Sequence, residues 1–217
     1  MRRAEDHYLL NVARWIERSE ANGPGERFVL WVQGCPLRCP GCHNPQFQPF
    51  RDATWMTVDD VEAKIRSVEG IEGVTLTGGE PFAQAQALAQ LCGRLRGSGL
   101  SVMAYSGFTI EQLRAEVLPL SRKLLEQVDL LLDGPYREDL PSERPWRGSG
   151  NQRLIALTER YRAHVEEWNV PTGQQFEIHL DAAGGWVILG IPPKELVEFV
   201  VPGFKNSSEE KESSDVR

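Results

Sequence analysis

The chain is short of cysteine, of long apolar runs and of positive charge, and each shortage excludes something. Four cysteines occur in 217 residues, and Cys35, Cys39 and Cys42 crowd into "CPLRCPGC". Pairing neighbours this close would close only tiny, strained loops, which excludes an extracellular disulfide framework. No stretch approaches the roughly 18 consecutive apolar residues of a membrane-spanning helix, so no span is expected. Lysine and arginine total 24 against 31 acidic residues, a net charge of −7. That sign argues against a general binder of nucleic acid or anionic membrane. The opening "MRRAEDHYLLNVARWIERSE" lacks the apolar core and cleavage site of a signal peptide, so a cytoplasmic location is expected.

What remains is an ordinary globular composition, 41% hydrophobic and 25% charged, with length enough for one sizeable core. Tyr8 to Ile16 fits a helical stripe or a strand equally well. "RFVLWVQ" (Arg27 to Gln33) is rich in β-formers and runs straight into the first cysteine. After the cysteines, Val58, Val61, Ile65 and Val68 share a helical face behind Thr57 as N-cap. Strands follow at "GVTLT", at "LSVMAYSG" and at "VDLLLDG", separated by helical patterns at Leu88–Leu95 and at "TIEQLRAEV". This alternation predicts an α/β chain with a parallel sheet, whose functional groups gather at the carboxyl ends of the strands. Further on, "NQRLIALT" reads as a strand, "ERYRAHVEEW" as a helix and "FEIHLDAAGGWVILGI" as a hairpin turned at its glycines.

Several chemistries use cysteines at this density. A structural zinc wants four closed ligands, and His43 would complete the set; adjacent residues such as Cys42 and His43 rarely both turn inward on one ion. "CPGCH" matches the pattern of c-type haem attachment, which leaves Cys35 without a purpose. A redox pair of Cys39 and Cys42 does the same. A [4Fe–4S] cube normally takes four thiolates. Three close cysteines would leave one iron open to a substrate or cofactor. Cys92 lies on the apolar stripe of a predicted helix and reads as a small buried hydrophobe, not a fourth ligand.

C-x3-C-x2-C followed by a strand ending in "GGEP" resembles the radical S-adenosylmethionine enzymes. "GPGERFVLWVQGCPLRCPGCHNP", "TLTGGEP", "YSGFT", "VDLLLDGPY" and "WRGSGNQRL" narrow the resemblance to the activating proteins of anaerobic ribonucleotide reductase. The resemblance implies an incomplete barrel of parallel strands and makes Tyr8 to Ile16 a strand. It implies that Cys35, Cys39 and Cys42 bind three irons, while S-adenosylmethionine chelates the fourth. It further implies reductive cleavage of that cofactor, with electrons from a donor such as flavodoxin or ferredoxin. The resulting radical would abstract hydrogen from a glycine of a large partner enzyme, with a different peptide or small molecule as the alternative target.

Family precedent sets Gly41 and His43 against the adenine. Gly78 and Gly79 lack side chains and allow close approach of a ligand, while Glu80 either takes the ammonium of the methionine moiety or caps the helix after Pro81. Ser106 and Asp133 end predicted strands at the ligand rim; Asp133 holds a ribose hydroxyl or accepts N–H groups in a "DGP" turn. Arg27 reads as structural, and Asn151 and Arg153 as contacts to cofactor or partner. Residues 1–158 are expected to form the core domain, 159–204 an extension of helix and hairpin packed on it, and 205–217 a disordered polar tail.

Overall fold

The β-rich runs become strands in this computed structural model, which describes residues 8–180, 186–193 and 196. β1 (Leu9–Ser19) and β2 (Arg27–Val32) lead into the cysteine loop, and β3 (Thr54–Thr57) and α1 (Val58–Arg66) follow it. Next come β4 (Gly73–Gly78), α2 (Ala85–Gly97) and β5 (Ser101–Tyr105). Two short helices, α3 (Ile110–Arg114) and α4 (Ser121–Leu125), precede β6 (Leu130–Asp133). β7 (Arg153–Ala156) follows a long loop, and β8 (Phe176–Leu180) pairs antiparallel with β9 (Trp186–Gly190). The glycines expected to turn that pair, and the tail from 205 onward, lie outside the described residues.

The fold is mixed α/β around one seven-stranded sheet of order β3-β1-β2-β4-β5-β6-β7. β2, β4, β5 and β6 run parallel. β1, β3 and β7 are antiparallel to their neighbours at the two margins. The parallel core brings the carboxyl ends of four strands together, and the loops leaving Val32, Gly78, Tyr105 and Asp133 sit side by side there. β1 extends beyond the stretch read as ambiguous, while β3 and α4 had no clear signature of their own.

Alternation along each strand decides the two faces. Phe28, Leu30, Val32, Val74, Leu76, Val102, Ala104 and Leu131 join the helices in the main core. α1 contributes Val58, Val61 and Ile65, behind a capping box in which Thr57 and Asp60 satisfy each other's backbone amides. On the opposite face Met103, Leu130, Leu132 and Leu154 meet Trp146 and Tyr161, while Val29 and Trp31 meet Leu189 of β9. Residues beyond 158 thus cover the sheet face that the helices leave open.

The segment "ERYRAHVEEW", expected to be helical, consists instead of two 3₁₀ turns, Glu159–His164 and Glu167–Asn169. Tertiary anchors at both ends override its helical pattern. Arg147 donates to the carbonyl of Trp168 (3.1 Å) and to Asn169 Oδ1 (2.5 Å). Tyr161 donates to Glu72 Oε1 (2.8 Å) and lies 2.7 Å from Ser101 Oγ.

That tyrosine completes the cage of Arg27, which is fully buried at the amino end of β2. The guanidinium donates to Thr75 Oγ1 (2.7 Å), Val74 O (2.7 Å), Ser101 Oγ (2.9 Å) and Pro24 O (3.1 Å). Burial lowers its pKa. Burying such a charge costs several kcal/mol before its partners are counted. The apolar side chains of β2, each contributing about 1.5–3 kcal/mol when fully buried, more than offset it. Tyr161→Phe removes the hydroxyl that joins Glu72 to this cage and should cost about 1–2 kcal/mol in urea unfolding.

Candidate metal centre

The cysteine loop begins where β2 ends, and hydrogen bonds close it into a ring. Gly34 N–H donates to Phe47 O and Cys35 N–H to Gln48 O, both at 2.8 Å. Gln48 Nε2 reaches back to Cys39 O (3.4 Å), and Gln33 Nε2 donates to Pro49 O (2.7 Å). A 3₁₀ turn at Pro45–Phe47 lets Phe47 pack with Val29 and Trp31 on the sheet. Three amide side chains then tie the loop to its neighbours. Gln84 Nε2 donates to Asn11 O and Gln33 O (both 3.1 Å), while Asn11 Nδ2 donates to Arg51 O (2.8 Å). Asn11, Gln33 and Gln84 were not singled out from the sequence. For the first two the available signal was Asn11 interrupting the apolar run "LLNVA" and Gln33 ending the run "FVLWVQ".

Gly78 and Gly79 were read as room for a ligand, but the backbone that approaches them is the protein's own. A Cβ on Gly79 would stand 2.4 Å from the Gly34 carbonyl oxygen, and one on Gly78 2.6 Å from Val32 N. Gly78 also has a φ of +103°, a conformation that side chains resist. Gly79 N–H donates to Val32 O (2.7 Å) and Glu80 N–H to Gly34 O (2.9 Å). The two glycines thereby hold the start of the cysteine loop against β4.

Glu80 is 1% exposed. Its Oε1 accepts from Phe82 N–H (3.0 Å) and Ser106 Oγ–H (3.1 Å), and its Oε2 from Gly107 N–H (2.9 Å). It therefore caps the turn after Pro81 and clasps the loop after β5, the second of its two expected roles. Burial pushes its carboxyl up to about 7, against the pull of those donors. Ser106 serves the same clasp and also accepts from Phe108 N–H (3.1 Å).

Asp133 accepts from Ile110 N–H (2.7 Å), at the start of α3, and from Arg153 Nε (2.9 Å) and Nη2 (2.5 Å). Arg153 bonds Glu111 as well (2.8 Å). Hydrogen bonding to Arg153 holds the Glu111 carboxyl down near about 2, and the two carboxylates raise the guanidinium in turn. Asp133 and Arg153 thus join β6, β7 and α3. Asn151 Nδ2 donates to Pro135 O (2.7 Å).

Cys35, Cys39 and Cys42 are half-buried and unpaired, whereas Cys92 is fully buried in the helical core, its thiol pushed up to about 12 by burial. Burial raises Cys35 and Cys39 too, opposed by the backbone amides of Leu37 and Tyr136 respectively. Asn44 N–H donates to Cys42 Sγ (3.4 Å). His43 packs against Tyr136, ring centroids 4.7 Å apart. A Cβ on Gly148 would lie 3.2 Å from His43 Cε1, which brings the "WRGSG" loop onto the cysteine loop. Gly41, at φ +67°, lies under the carboxylate of Glu138. A groove of about 480 Å³ opens beside it, lined by Pro40, Tyr136, Arg137, Glu138 and Asp139. Among the described residues, no three His, Cys, Asp or Glu side chains gather closely enough to hold a single metal ion.

The family model described as a 4Fe-4S single cluster domain matches residues 21–155. The chain belongs to that family. Within it, the chain is similar to anaerobic ribonucleoside-triphosphate reductase-activating proteins. That of Enterobacteria phage T4 is 33% identical over 66% of this chain and 92% of its own length. That of Escherichia coli K12 is 30% identical, over 66% and 96%. That of Pasteurella multocida is 29% identical, over 69% and 99%. Among solved structures, QueE from Escherichia coli covers 60% of this chain and 72% of its own, at a TM-score of 0.38 and 19% identity. Among the described residues, no helix is long and apolar enough to cross a membrane.

Two outcomes test the clasp between strand ends and cysteine loop. Gly79→Ala should displace the loop and sharply lower the iron retained after anaerobic reconstitution. For Glu80, a carboxyl titrating near 7 in place of 4.5 means the folded chain keeps a proton that the unfolded chain releases. Stability of the metal-free protein should therefore fall as pH rises between those values, by up to about 3 kcal/mol, and Glu80→Gln should flatten the slope.

Proposed function

We propose that this protein is an activase that makes a glycyl radical on a partner enzyme, using a [4Fe–4S] cluster held by Cys35, Cys39 and Cys42 and S-adenosylmethionine as cofactor. The observation that carries the reading is the thiol arrangement. Three half-buried thiols share one rigid loop, and the remaining cysteine lies in the helical core. A tetrahedral zinc draws its sulfurs to one point at about 2.3 Å from the metal. A cube gives each thiolate its own iron, and three thiols spaced along one loop, with the remaining cysteine buried away from them, fit that better than a closed four-ligand zinc site. Amides aimed at the sulfurs of Cys35, Cys39 and Cys42 would stabilise the thiolates such a cluster needs.

When bound, the cluster supplies the electron that cleaves the cofactor's sulfonium C–S bond, giving methionine and a 5'-deoxyadenosyl radical. The protein's residues bind and exclude water. Gly78 and Gly79 offer carbonyls at the end of β4, and His43 and Gly41 flank the adenine beside Tyr136. Ser106 and Asp133 hold the neighbouring strand ends in place through Glu80 and Arg153. With cluster and cofactor held by these residues, the chemistry supplied would remove a hydrogen atom from the Cα of a partner glycine, leaving the glycyl radical there and the hydrogen on 5'-deoxyadenosine.

The partner in this reading is an anaerobic ribonucleotide reductase, the enzyme in the names of the relatives. A different protein target is the second reading. About a third of this chain lies outside the match to those relatives, and residues beyond 158 cover the open sheet face.

The decisive test is anaerobic. Reduced, iron-loaded protein mixed with S-adenosylmethionine and the reductase large subunit should give a glycyl radical signal by electron paramagnetic resonance. Methionine release without that signal would sink the activase reading. Replacing Cys35, Cys39 or Cys42 by Ser should abolish iron binding and methionine release, while Cys92→Ala should keep both.

A further inference from the structure

We infer that the bare apolar face of the β8–β9 hairpin is the docking site of this chain's own apolar run at residues 196–204, which folds back over it. The inference stands apart from the activase reading and uses none of its chemistry.

The pairing register assigns each residue of the hairpin to one of its two faces, because directly paired residues of an antiparallel ladder point to the same side. Glu177 pairs with Leu189 and His179 with Val187. Phe176 pairs with Gly190, Ile178 with Ile188 and Leu180 with Trp186. The first set faces the seven-stranded sheet. Leu189 and Val187 pack with Val29 and Trp31, and Glu177 Oε1 accepts from the amides of Glu20 (2.6 Å) and Ala21 (3.1 Å) just after β1. The second set therefore faces away from the sheet. Phe176, Ile178 and Leu180 are 38%, 49% and 79% exposed, and Ile188 is half-buried.

This polarity is the reverse of what a ribbon on a protein surface needs. A strand covered on one side turns its polar residues outward, whereas β8 turns Glu177 and His179 inward and three large apolar side chains outward. Single exposed hydrophobes are ordinary. A row of them at every outward position of one strand, continued by Ile188 on the next, marks a surface that something covers. Among the described residues, none of these four side chains joins a hydrophobic cluster.

The sequence supplies a cover within reach. Six of the nine residues 196–204, "LVEFVVPGF", are Leu, Val or Phe, and only the polar "KNSSEEKESSDVR" follows. The chain leaves β9 where Ile191 N–H donates to Gln175 O (3.0 Å), beside Phe176 at one end of the bare face. It turns soon afterwards, with Leu196 N–H donating to Pro193 O (3.1 Å). Leu196 comes six positions after Gly190, a reach of up to about 20 Å. The face is shorter, about 14 Å from Phe176 to Leu180. So short a connection keeps the entropy of closure small. The main sheet offers the run no place, since helices cover one side and Trp146, Tyr161 and Leu189 cover the other. One contact thus removes two apolar surfaces from water, the run and the hairpin face.

The test places the photo-crosslinker benzoylphenylalanine in the full chain at position 180, where the side chain is exposed enough to accept it. Irradiation should join it to a peptide from 196–204 of the same molecule, found by mass spectrometry in the monomer band. Adding Val200→Asp/Val201→Asp, with circular dichroism unchanged, should lower that product at least about fivefold, because the charges resist burial. Ile178→Asp, a change on the hairpin itself, should lower it in the same way. A crosslinked dimer in place of the intrachain product would overturn the proposal in favour of a second copy of the chain. A crosslink to some other segment, no crosslink, or a yield unmoved by these substitutions would overturn it too.

Discussion

The contact between the end of β4 and the first turn of the cysteine loop is the constraint on which the site depends. Two backbone hydrogen bonds join them, from Gly79 N–H to Val32 O and from Glu80 N–H to Gly34 O. Neither bond could form if Gly79 carried a side chain, since its Cβ would overlap the Gly34 carbonyl. The thiols are then placed by a ring of loop hydrogen bonds that starts at this fixed point. Gly34, Cys35 and Cys39 are each tied to the segment 47–48 that returns beneath them.

Around this contact the polar groups are spent on holding strand ends together. Glu80 spans from β4 to the loop after β5, Asp133 from β6 to α3 and β7, and Gln84 from α2's approach back to β1 and β2. Each is a buried or half-buried group whose acceptors and donors are met by protein, which keeps the carboxyl ends of the parallel strands at fixed separations. The thiols experience the same burial. Desolvation pushes the Cys35 and Cys39 thiols up, and the carboxyl of Glu80 adds to that effect. A positively charged metal group is what would make thiolates favourable there.

The opposite end of the sheet carries a different device. Arg27 is enclosed by Thr75, Ser101 and carbonyls, and Tyr161 closes the cage from a segment beyond residues 21–155, which the family model matches. Arg147 makes a second tie at Trp168 and Asn169. The additional residues are therefore built into the molecule through buried cations at two places, and are not simply laid on its surface. Their apolar side chains cover the sheet face opposite the helices, which in a sheet of two-sided apolar strands needs a cover of some kind.

The alternation of strand and helix, the helical stripes, the cysteine spacing and the position of "GGEP" at a strand end were legible because each is a local or periodic property. A chain segment carries its own period and its own turn residues, and these survive in any fold that uses them. Glu80 as a clasp, the pairing of Asp133 with Arg153, the glycines facing the cysteine loop and the edge strand β3 were decided only by tertiary structure. Each depends on a partner far away in sequence. The same dependence applies to "ERYRAHVEEW", which forms 3₁₀ turns where Ser101 and Arg147, both far away in sequence, bond Tyr161 and Trp168. The amino-acid order determined which groups carry the chemistry; the packing of distant strand ends determined which of them remain free to use it.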